Sequence, residues 1–109
     1  MLLSVPIMLL FIHFVGDFIL QSNWMALNKS KNWIALLCHT IVYSLCFIGY
    51  GMVFVSITFL LHTLTDAITS RITSKLWQTN QRHWFFVAIG ADQLLHYIGL
   101  AATFAYIGV

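Results

Sequence analysis

Charged residues are scarce in this chain of 109 residues. Only 7% of the residues are charged and 61% are apolar, and the mean hydropathy is +0.89, whereas about 25% of an ordinary soluble domain is charged. This composition excludes a soluble globular domain. It also excludes disorder, because so apolar a chain has ample surface to bury. The formal charge of +2 is too small for the basic face that nucleic-acid binding requires, so the expected solvent is a lipid bilayer.

Cysteine and glutamate are also scarce. The two cysteines, Cys38 and Cys46, would lie about 12 Å apart on a continuous helix, which is too far for a disulfide. Their spacing does not resemble that of a zinc site either, so they are predicted to be buried thiols. The chain contains no glutamate, which departs from the Glu-x-x-His pattern of di-iron bundles and makes oxygen chemistry a minor option.

Four apolar segments are predicted to cross a membrane, since a helix needs about 20 residues for the crossing. These segments are Leu2 to Leu20, Trp33 to Gly49, Met52 to Thr69 and Phe85 to Ile107. The first segment is expected to stay in the mature chain, because no Lys or Arg precedes it as in a signal peptide. The short connection around Tyr50 predicts an antiparallel hairpin. The expected fold is all-α, a single integral-membrane domain over residues 1–109 that forms a four-helix bundle with antiparallel neighbouring spans.

All the Lys and Arg residues fall in the two polar connections between these spans. They are Lys29, Lys31, Arg71, Lys75 and Arg82. With four spans both connections lie on the same face of the membrane, and cytoplasmic loops are the ones enriched in Lys and Arg. The polar connections are therefore expected in the cytoplasm and both termini outside.

The acidic residues are unusual because each of them lies inside a predicted span. A charge near the bilayer centre costs at least about 2.5 to 3.5 kcal/mol, so an acid at that depth usually has a partner and marks function. Each acid has a histidine four residues away, on the same face of its helix. The pairs are His13 with Asp17, His62 with Asp66, and Asp92 with His96.

A fourth histidine, His39, is expected at about the depth of these pairs. Imidazole and carboxylate ligands that converge inside a bundle suit zinc, manganese or iron, and seven of them suffice for one or two ions. Zinc or manganese is favoured. The predicted ligands are His13, Asp17, His39, His62, Asp66, Asp92 and His96. The alternatives are a proton or ion pathway and polar contacts that only hold helices together. The fifth histidine, His83, is expected in the loop.

Several polar residues are predicted to surround this cluster. Gln21 and Gln93 are candidates to orient ligands or bind substrate, although Gln21 could be only the polar end of its helix. Tyr43 could hydrogen-bond toward the cluster, but packing is the favoured interpretation. Lys29 and Arg71 lie at the cytoplasmic mouth, where they could hold an anionic headgroup or only obey the topology rule.

The chain resembles a family of small bacterial and phage membrane proteins of unknown function. The residues that carry the resemblance are the run from His13 to Ser22, Trp24-Met25-Ala26, Asn28-Lys29-Ser30, His39, His62 with Asp66, and the run from Asp92 to His96. It is more distantly similar to membrane-bound metal-dependent hydrolases. The resemblance implies a helical protein of the bacterial inner membrane with a metal site, and it favours hydrolysis.

The favoured hypothesis is therefore a membrane-embedded metal-dependent hydrolase that acts on a lipid or lipid-linked ester or phosphoester from the cytoplasmic side. Asp17, Asp66 and Asp92 are its candidate catalytic residues. Membrane lipids are the expected partners, and a homodimer is plausible for so small a bundle. One alternative is a divalent-cation or proton transporter. Another is a regulatory or host-exclusion membrane protein with a structural metal.

Overall fold

The computed structural model describes residues 6–107, and every regular element within that range is helical. Helix α1 (Ile7–Phe14) continues into a π-helical segment (Val15–Ile19), and a short helix α2 (Asn23–Asn28) follows. Helix α3 (Trp33–Leu45) leads through a 3-10 turn (Ile48–Tyr50) into α4 (Met52–Gln78) and α5 (Arg82–Ile107). The prediction of an all-α fold is confirmed for the described residues.

Only two helices in the described range are long and apolar enough to cross a membrane. They are α4, with 27 residues, and α5, with 26. The first and second predicted spans are shorter helices, Ile7–Ile19 and Trp33–Leu45. Residues 2–5 of the first predicted span lie outside the described range. Helix α4 is longer than predicted and continues into the expected loop, so Arg71 is helical, and His83 lies in the first turn of α5 and is exposed.

The chain reverses direction at two tight turns. At the first, Gly51 has a φ of +98°, which a residue with a Cβ atom adopts only with strain, and α4 begins directly after it. At the second, residues 79–81 join α4 to α5, so these two helices are antiparallel. Helix α4 packs against both α5 and α3. The predicted hairpin around Tyr50 is present as the 3-10 turn.

Two buried regions lie along the length of these helices. At the end that holds the 3-10 turn, an apolar cluster is formed by Leu9, Tyr43, Phe47, Phe54, Val55 and Leu100. Toward the opposite end, which holds residues 23–32 and 79–81 and is called the polar end below, the interior contains histidines and acids. The side chains of Leu60, Leu64, Phe86 and Leu94, in contrast, are about 60% exposed. The molecule is thus polar inside and apolar outside along much of α4 and α5.

Candidate metal centre

Four side chains from three parts of the chain meet in the polar interior, and we call them the quartet: Asp17, His39, His62 and Asp66. Asp17 Oδ1 lies 3.0 Å from His39 Nε2 and 3.5 Å from His62 Nε2. Asp66 Oδ2 lies 3.2 Å from His39 Nε2 and 3.3 Å from His62 Nε2. The two Nε2 atoms are 3.1 Å apart. Two nitrogens and two oxygens therefore surround one point, and all four residues are buried.

The spacing of these atoms matches the ligands of a tetrahedral metal. Zinc binds nitrogen at about 2.0 to 2.1 Å and carboxylate oxygen at about 2.0 to 2.2 Å, so the edges of its ligand tetrahedron measure about 3.3 to 3.6 Å. The quartet distances of 3.0 to 3.5 Å need only small adjustments to reach those values. The quartet could therefore hold a metal ion.

The π-helical segment brings Asp17 into this quartet. Its wider turn closes with a hydrogen bond from the Leu20 backbone N–H to the Val15 carbonyl, five residues back. Gly16 lies against helix α3, and a Cβ atom there would be 3.0 Å from Tyr43 Cδ2 and 3.3 Å from the Tyr43 Cα. Single π turns inside helices occur frequently at functional sites. The segment thus combines a close helix contact with an acid that points inward.

A second group of possible ligands consists of Asp17, Asp92 and His96, whose ligand atoms lie within 4.8 Å of one another. His96 Nδ1 is 3.4 Å from Asp92 Oδ2, and its Nε2 is 3.5 Å from Asp66 Oδ1. Asp17 belongs to both groups. Six of the seven predicted ligands therefore come together as the sequence pattern indicated, across the π-helical segment, α3, α4 and α5.

The seventh predicted ligand, His13, forms hydrogen bonds with other side chains through both ring nitrogens. Its Nε2 donates to the Gln93 side-chain carbonyl at 2.7 Å, which fixes the tautomer, and its Nδ1 accepts from the Tyr43 hydroxyl at 2.6 Å. Its Nε2 is also 3.8 Å from Asp17 Oδ2. Since both ring nitrogens already have hydrogen-bond partners, His13 belongs to neither group of ligand atoms and instead holds Gln93.

Each of the three carboxylates accepts a hydrogen bond from a neighbouring side chain. Gln93 Nε2 donates to Asp17 Oδ2 at 3.2 Å and to Asp92 Oδ2 at 3.1 Å. Thr69 Oγ1 donates to Asp92 Oδ1 at 2.5 Å. Lys29 Nζ donates to Asp66 Oδ2 at 3.2 Å. Carboxylates that bind metals are usually held in this way by a surrounding layer of hydrogen bonds.

Tyr43 both packs and hydrogen-bonds, although packing alone was favoured from the sequence. Its ring stacks on His62 at a centroid distance of 3.8 Å, and its hydroxyl contacts His13. His62 stacks in turn on His96 at 4.1 Å. The outer Nδ1 atoms of His39 and His62 have no hydrogen-bond partner among the described residues, so aromatic stacking and close packing hold these imidazoles.

The remaining predicted residues have different environments. Gln21 is half-buried, and its Oε1 has no partner within the described range. Arg71 does not reach the cluster, because it donates to the Ala67 carbonyl at 2.6 Å and lies over the Trp33 ring at 4.5 Å. Lys29, in contrast, enters the cluster, with 19% of its side chain exposed. Sequence reasoning therefore placed Lys29 and Arg71 together, and the structure separates them.

A polar pocket of about 190 Å³ connects the carboxylates to the polar end. Asp17, Asp66 and Asp92 line it together with Lys29 and Ser70. A wider groove of about 360 Å³ adjoins it, since Lys29, Ser70 and Thr73 line both. The candidate metal centre is thus reached from the end of the molecule that carries the cations.

Three contributors to this centre were not singled out from the sequence. Thr69 and Ser70 fall at the predicted end of a span, where hydroxyl residues are common and carry no signal of their own. A helical-wheel count from Asp66 would have placed both near its face, three and four residues on. Gly16, in the π-helical segment, had no signal, because a π turn has no reliable sequence pattern.

Comparison with known proteins identifies a family. Residues 5–109 match the model of a family described as a protein of unknown function, DUF3307. The chain belongs to that family. No curated protein and no solved structure matches this DUF3307 chain.

Proposed function

We propose that this protein is a membrane-embedded, metal-dependent hydrolase that acts on a lipid or lipid-linked ester or phosphoester. The observation that carries the proposal is the quartet, in which two imidazole nitrogens and two carboxylate oxygens lie at the separations of a tetrahedral metal site. Nitrogen and oxygen ligands of this kind suit zinc or manganese. The bound ion would polarise the scissile bond of the ester and make water a better nucleophile.

The charges at the centre also support a divalent cation. Imidazoles must be neutral to bind a metal, so the charged groups are the three carboxylates and the Lys29 ammonium. Lys29 compensates one carboxylate through its contact with Asp66. Two negative charges then remain in a buried region, where an uncompensated charge is costly. One divalent ion would balance them.

The distribution of polar and apolar side chains supports insertion in a membrane. Large apolar side chains such as Leu60, Leu64 and Phe86 face outward, while acids and histidines are buried. Intramembrane ionisable residues typically face the interior of a helix assembly in this way. We propose a multi-pass protein of the bacterial inner membrane, with the four longer helices as a bundle. The cations at the polar end favour a cytoplasmic location for that end and an outer location for both termini.

The groove at the polar end supports a lipid-like substrate. Leu27, Trp77 and Phe85 line it, and Lys29 and Ser70 line both this groove and the pocket at the carboxylates. An amphipathic molecule could place its apolar part against the three apolar residues and its polar group beside Lys29 and Ser70. Gln21 lines the inner pocket and is placed to contact that polar group. Arg71 lies near the surface with Lys31 and Lys75, where these cations would attract anionic headgroups.

Hydrolysis consumes one water for each ester. The bond between the phosphorus or acyl carbon and the alcohol oxygen breaks, the hydroxyl group of water stays on the phosphorus or carbon, and the alcohol leaves with a proton. In this proposal Asp17, Asp66 and Asp92 would hold the cation beside the scissile bond, while Lys29 keeps Asp66 in position and Gln93 keeps Asp17 and Asp92 in position. Membrane lipids are the proposed partners.

The test is elemental analysis of the detergent-purified protein together with hydrolysis of phospholipid and prenyl phosphate in micelles. Wild type is expected to hold stoichiometric zinc or manganese and to hydrolyse one of these lipid classes. His62→Ala is expected to lose the metal of the quartet and the activity, and His83→Ala, an exposed histidine outside the quartet, to keep both. Equal metal content in the two variants, or hydrolysis without metal, would contradict the proposal.

A second candidate is a divalent-cation or proton transporter, which one observation favours. A pocket of about 90 Å³ is lined by His62 and His96 together with Thr58, Thr65 and Thr103, and it shares no lining residue with the pocket at the carboxylates. The cluster therefore borders two separate spaces. We rank this candidate second because the apolar cluster with Phe47 and Phe54 is packed at that end of the molecule. Ion flux into proteoliposomes that is abolished in Asp66→Asn would reverse the ranking.

A further inference from the structure

The carboxylates of the quartet each have a second oxygen that contacts other side chains. Asp66 Oδ1 is 3.5 Å from His96 Nε2. Asp17 Oδ2 accepts a hydrogen bond from Gln93 Nε2 at 3.2 Å. Asp17 can therefore contribute to the quartet through Oδ1 and to a neighbouring position through Oδ2, while Asp66 Oδ1 faces His96.

His96 lies at that neighbouring position without a hydrogen bond. It is 5% exposed, and neither of its ring nitrogens has a hydrogen-bond partner among the described residues. Nevertheless, Nδ1 is 3.4 Å from Asp92 Oδ2 and Nε2 is 3.5 Å from Asp66 Oδ1. A buried polar group without a partner is costly, and a cation that accepts its lone pair would remove that cost.

We propose that Asp17, Asp92 and His96 form a second divalent-cation position, which shares Asp17 with the quartet and is the one open to substrate. The quartet supplies four protein ligands, as closed structural zinc sites do, whereas catalytic sites have three protein ligands and an open position. The second group supplies three. The catalytic role of the second position rests on the proposed function. In this inference the three-ligand position binds substrate, and the four-ligand quartet does not.

The shape of the interior supports this division. The pocket of about 190 Å³ is lined by all three carboxylates and by none of the imidazoles His39, His62 and His96. Among the carboxylates, Asp92 has 14% of its side chain exposed, whereas Asp66 has 2%. A molecule that enters from the polar end therefore meets Asp92, which belongs to the second position alone, before it meets the buried ligands of the quartet.

Charge indicates the class of substrate. One divalent ion together with Lys29 balances the three carboxylates, so a second divalent ion makes the centre positive. A phosphate ester compensates that charge and a neutral carboxylic ester does not. The same pocket offers the Lys29 ammonium and the Ser70 hydroxyl, and the Ser70 Oγ has no partner among the described residues. The second position therefore favours a phosphate ester as substrate.

The test uses Co²⁺ as the probe, because tetrahedral Co²⁺ absorbs visible light much more strongly than Co²⁺ of higher coordination. Titration of the metal-free, detergent-solubilised chain is expected to show two equivalents, the first of them intensely absorbing at the quartet. His96→Ala and Asp92→Asn are expected to lose only the second equivalent, and His83→Ala is expected to match wild type. Inorganic phosphate is then expected to shift the bands of the second equivalent alone.

The possible outcomes separate this inference from the proposed function. A wild type that saturates at one equivalent and still hydrolyses lipid overturns the second position and keeps the hydrolase. Two equivalents without lipid hydrolysis keep the second position and count against the hydrolase. Retention of two equivalents in both variants, or loss of both equivalents in each, overturns the second position. Bands that respond to neither inorganic phosphate nor phosphatidic acid micelles overturn the assignment of a phosphate ester.

Discussion

The apolar cluster and the candidate metal centre are both buried, but they are held together by different forces. Phe47 and Phe54 pack with ring centroids 5.6 Å apart, and such contacts depend on shape and tolerate substitutions of similar volume. The metal centre instead contains three carboxylates and one ammonium within a few ångströms, an arrangement that is favourable only when every charge is compensated. The apolar cluster stabilises the packing of the helices, whereas the cluster of acids and histidines is stable only when its charges are compensated.

Asp17→Asn is expected to have the largest effect and to act on the candidate metal centre rather than on the apolar cluster. The substitution keeps the size of the side chain but removes the carboxylate that both ligand groups share. We expect metal affinity to fall at least 100-fold, since an amide is a much weaker ligand than a carboxylate and carries no negative charge to attract the cation. Isothermal titration with zinc in detergent measures the change.

The matched control for this change is Phe54→Leu in the apolar cluster. This substitution removes packing contacts of a fully buried ring, so it is expected to lower the melting temperature while metal affinity stays within about twofold of wild type. If Phe54→Leu weakened metal binding as much as Asp17→Asn, metal affinity would depend on the packing of the apolar cluster, and the two regions would not be independent.

Gln93→Leu is expected to have an intermediate effect. Gln93 joins His13 to Asp17 and Asp92 through three hydrogen bonds, and loss of such an outer partner typically costs about 10- to 100-fold in metal affinity. We expect a loss in that range with the metal stoichiometry unchanged at saturation. Gln78→Leu, an exposed position on α4, is the control. An unaltered affinity in Gln93→Leu would show that the network is not coupled to the metal.

The meeting of the metal ligands could be predicted from sequence because it follows from helical periodicity. Acids and histidines four residues apart share a helix face, and antiparallel helices bring such faces to one depth. His62, Asp66, Asp92 and His96 lie close together for this reason. Helix lengths were less predictable, since apolar composition does not reveal that α3 ends at Leu45.

The sequence did not predict which hydrogen-bond partner each polar side chain would take. The pattern of His13 and Asp17 is the same as that of His62 and Asp66, yet His13 is taken by Tyr43 and Gln93. The choice depends on neighbours from α3 and α5, which the local pattern of α1 does not contain. Likewise, Lys29 and Arg71 are both cations at the polar end, but only Lys29 has an acid within reach, because Arg71 lies over Trp33.

Gly16→Ala is expected to have the smallest effect and to sharpen the boundary between the two regions. Tyr43 contacts both of them, through a tilted ring contact with Phe47 and its stacking on His62. A methyl group at Gly16 would lie 3.0 Å from the Tyr43 ring. We expect a loss of about 1 to 3 kcal/mol in the free energy of unfolding. Gly90→Ala, where an added Cβ meets nothing within 4 Å, is expected instead to gain up to about 1 kcal/mol from helix propensity. Thermal unfolding of the metal-free proteins measures both, and equal stability of the two variants would show that Tyr43 moves aside without cost.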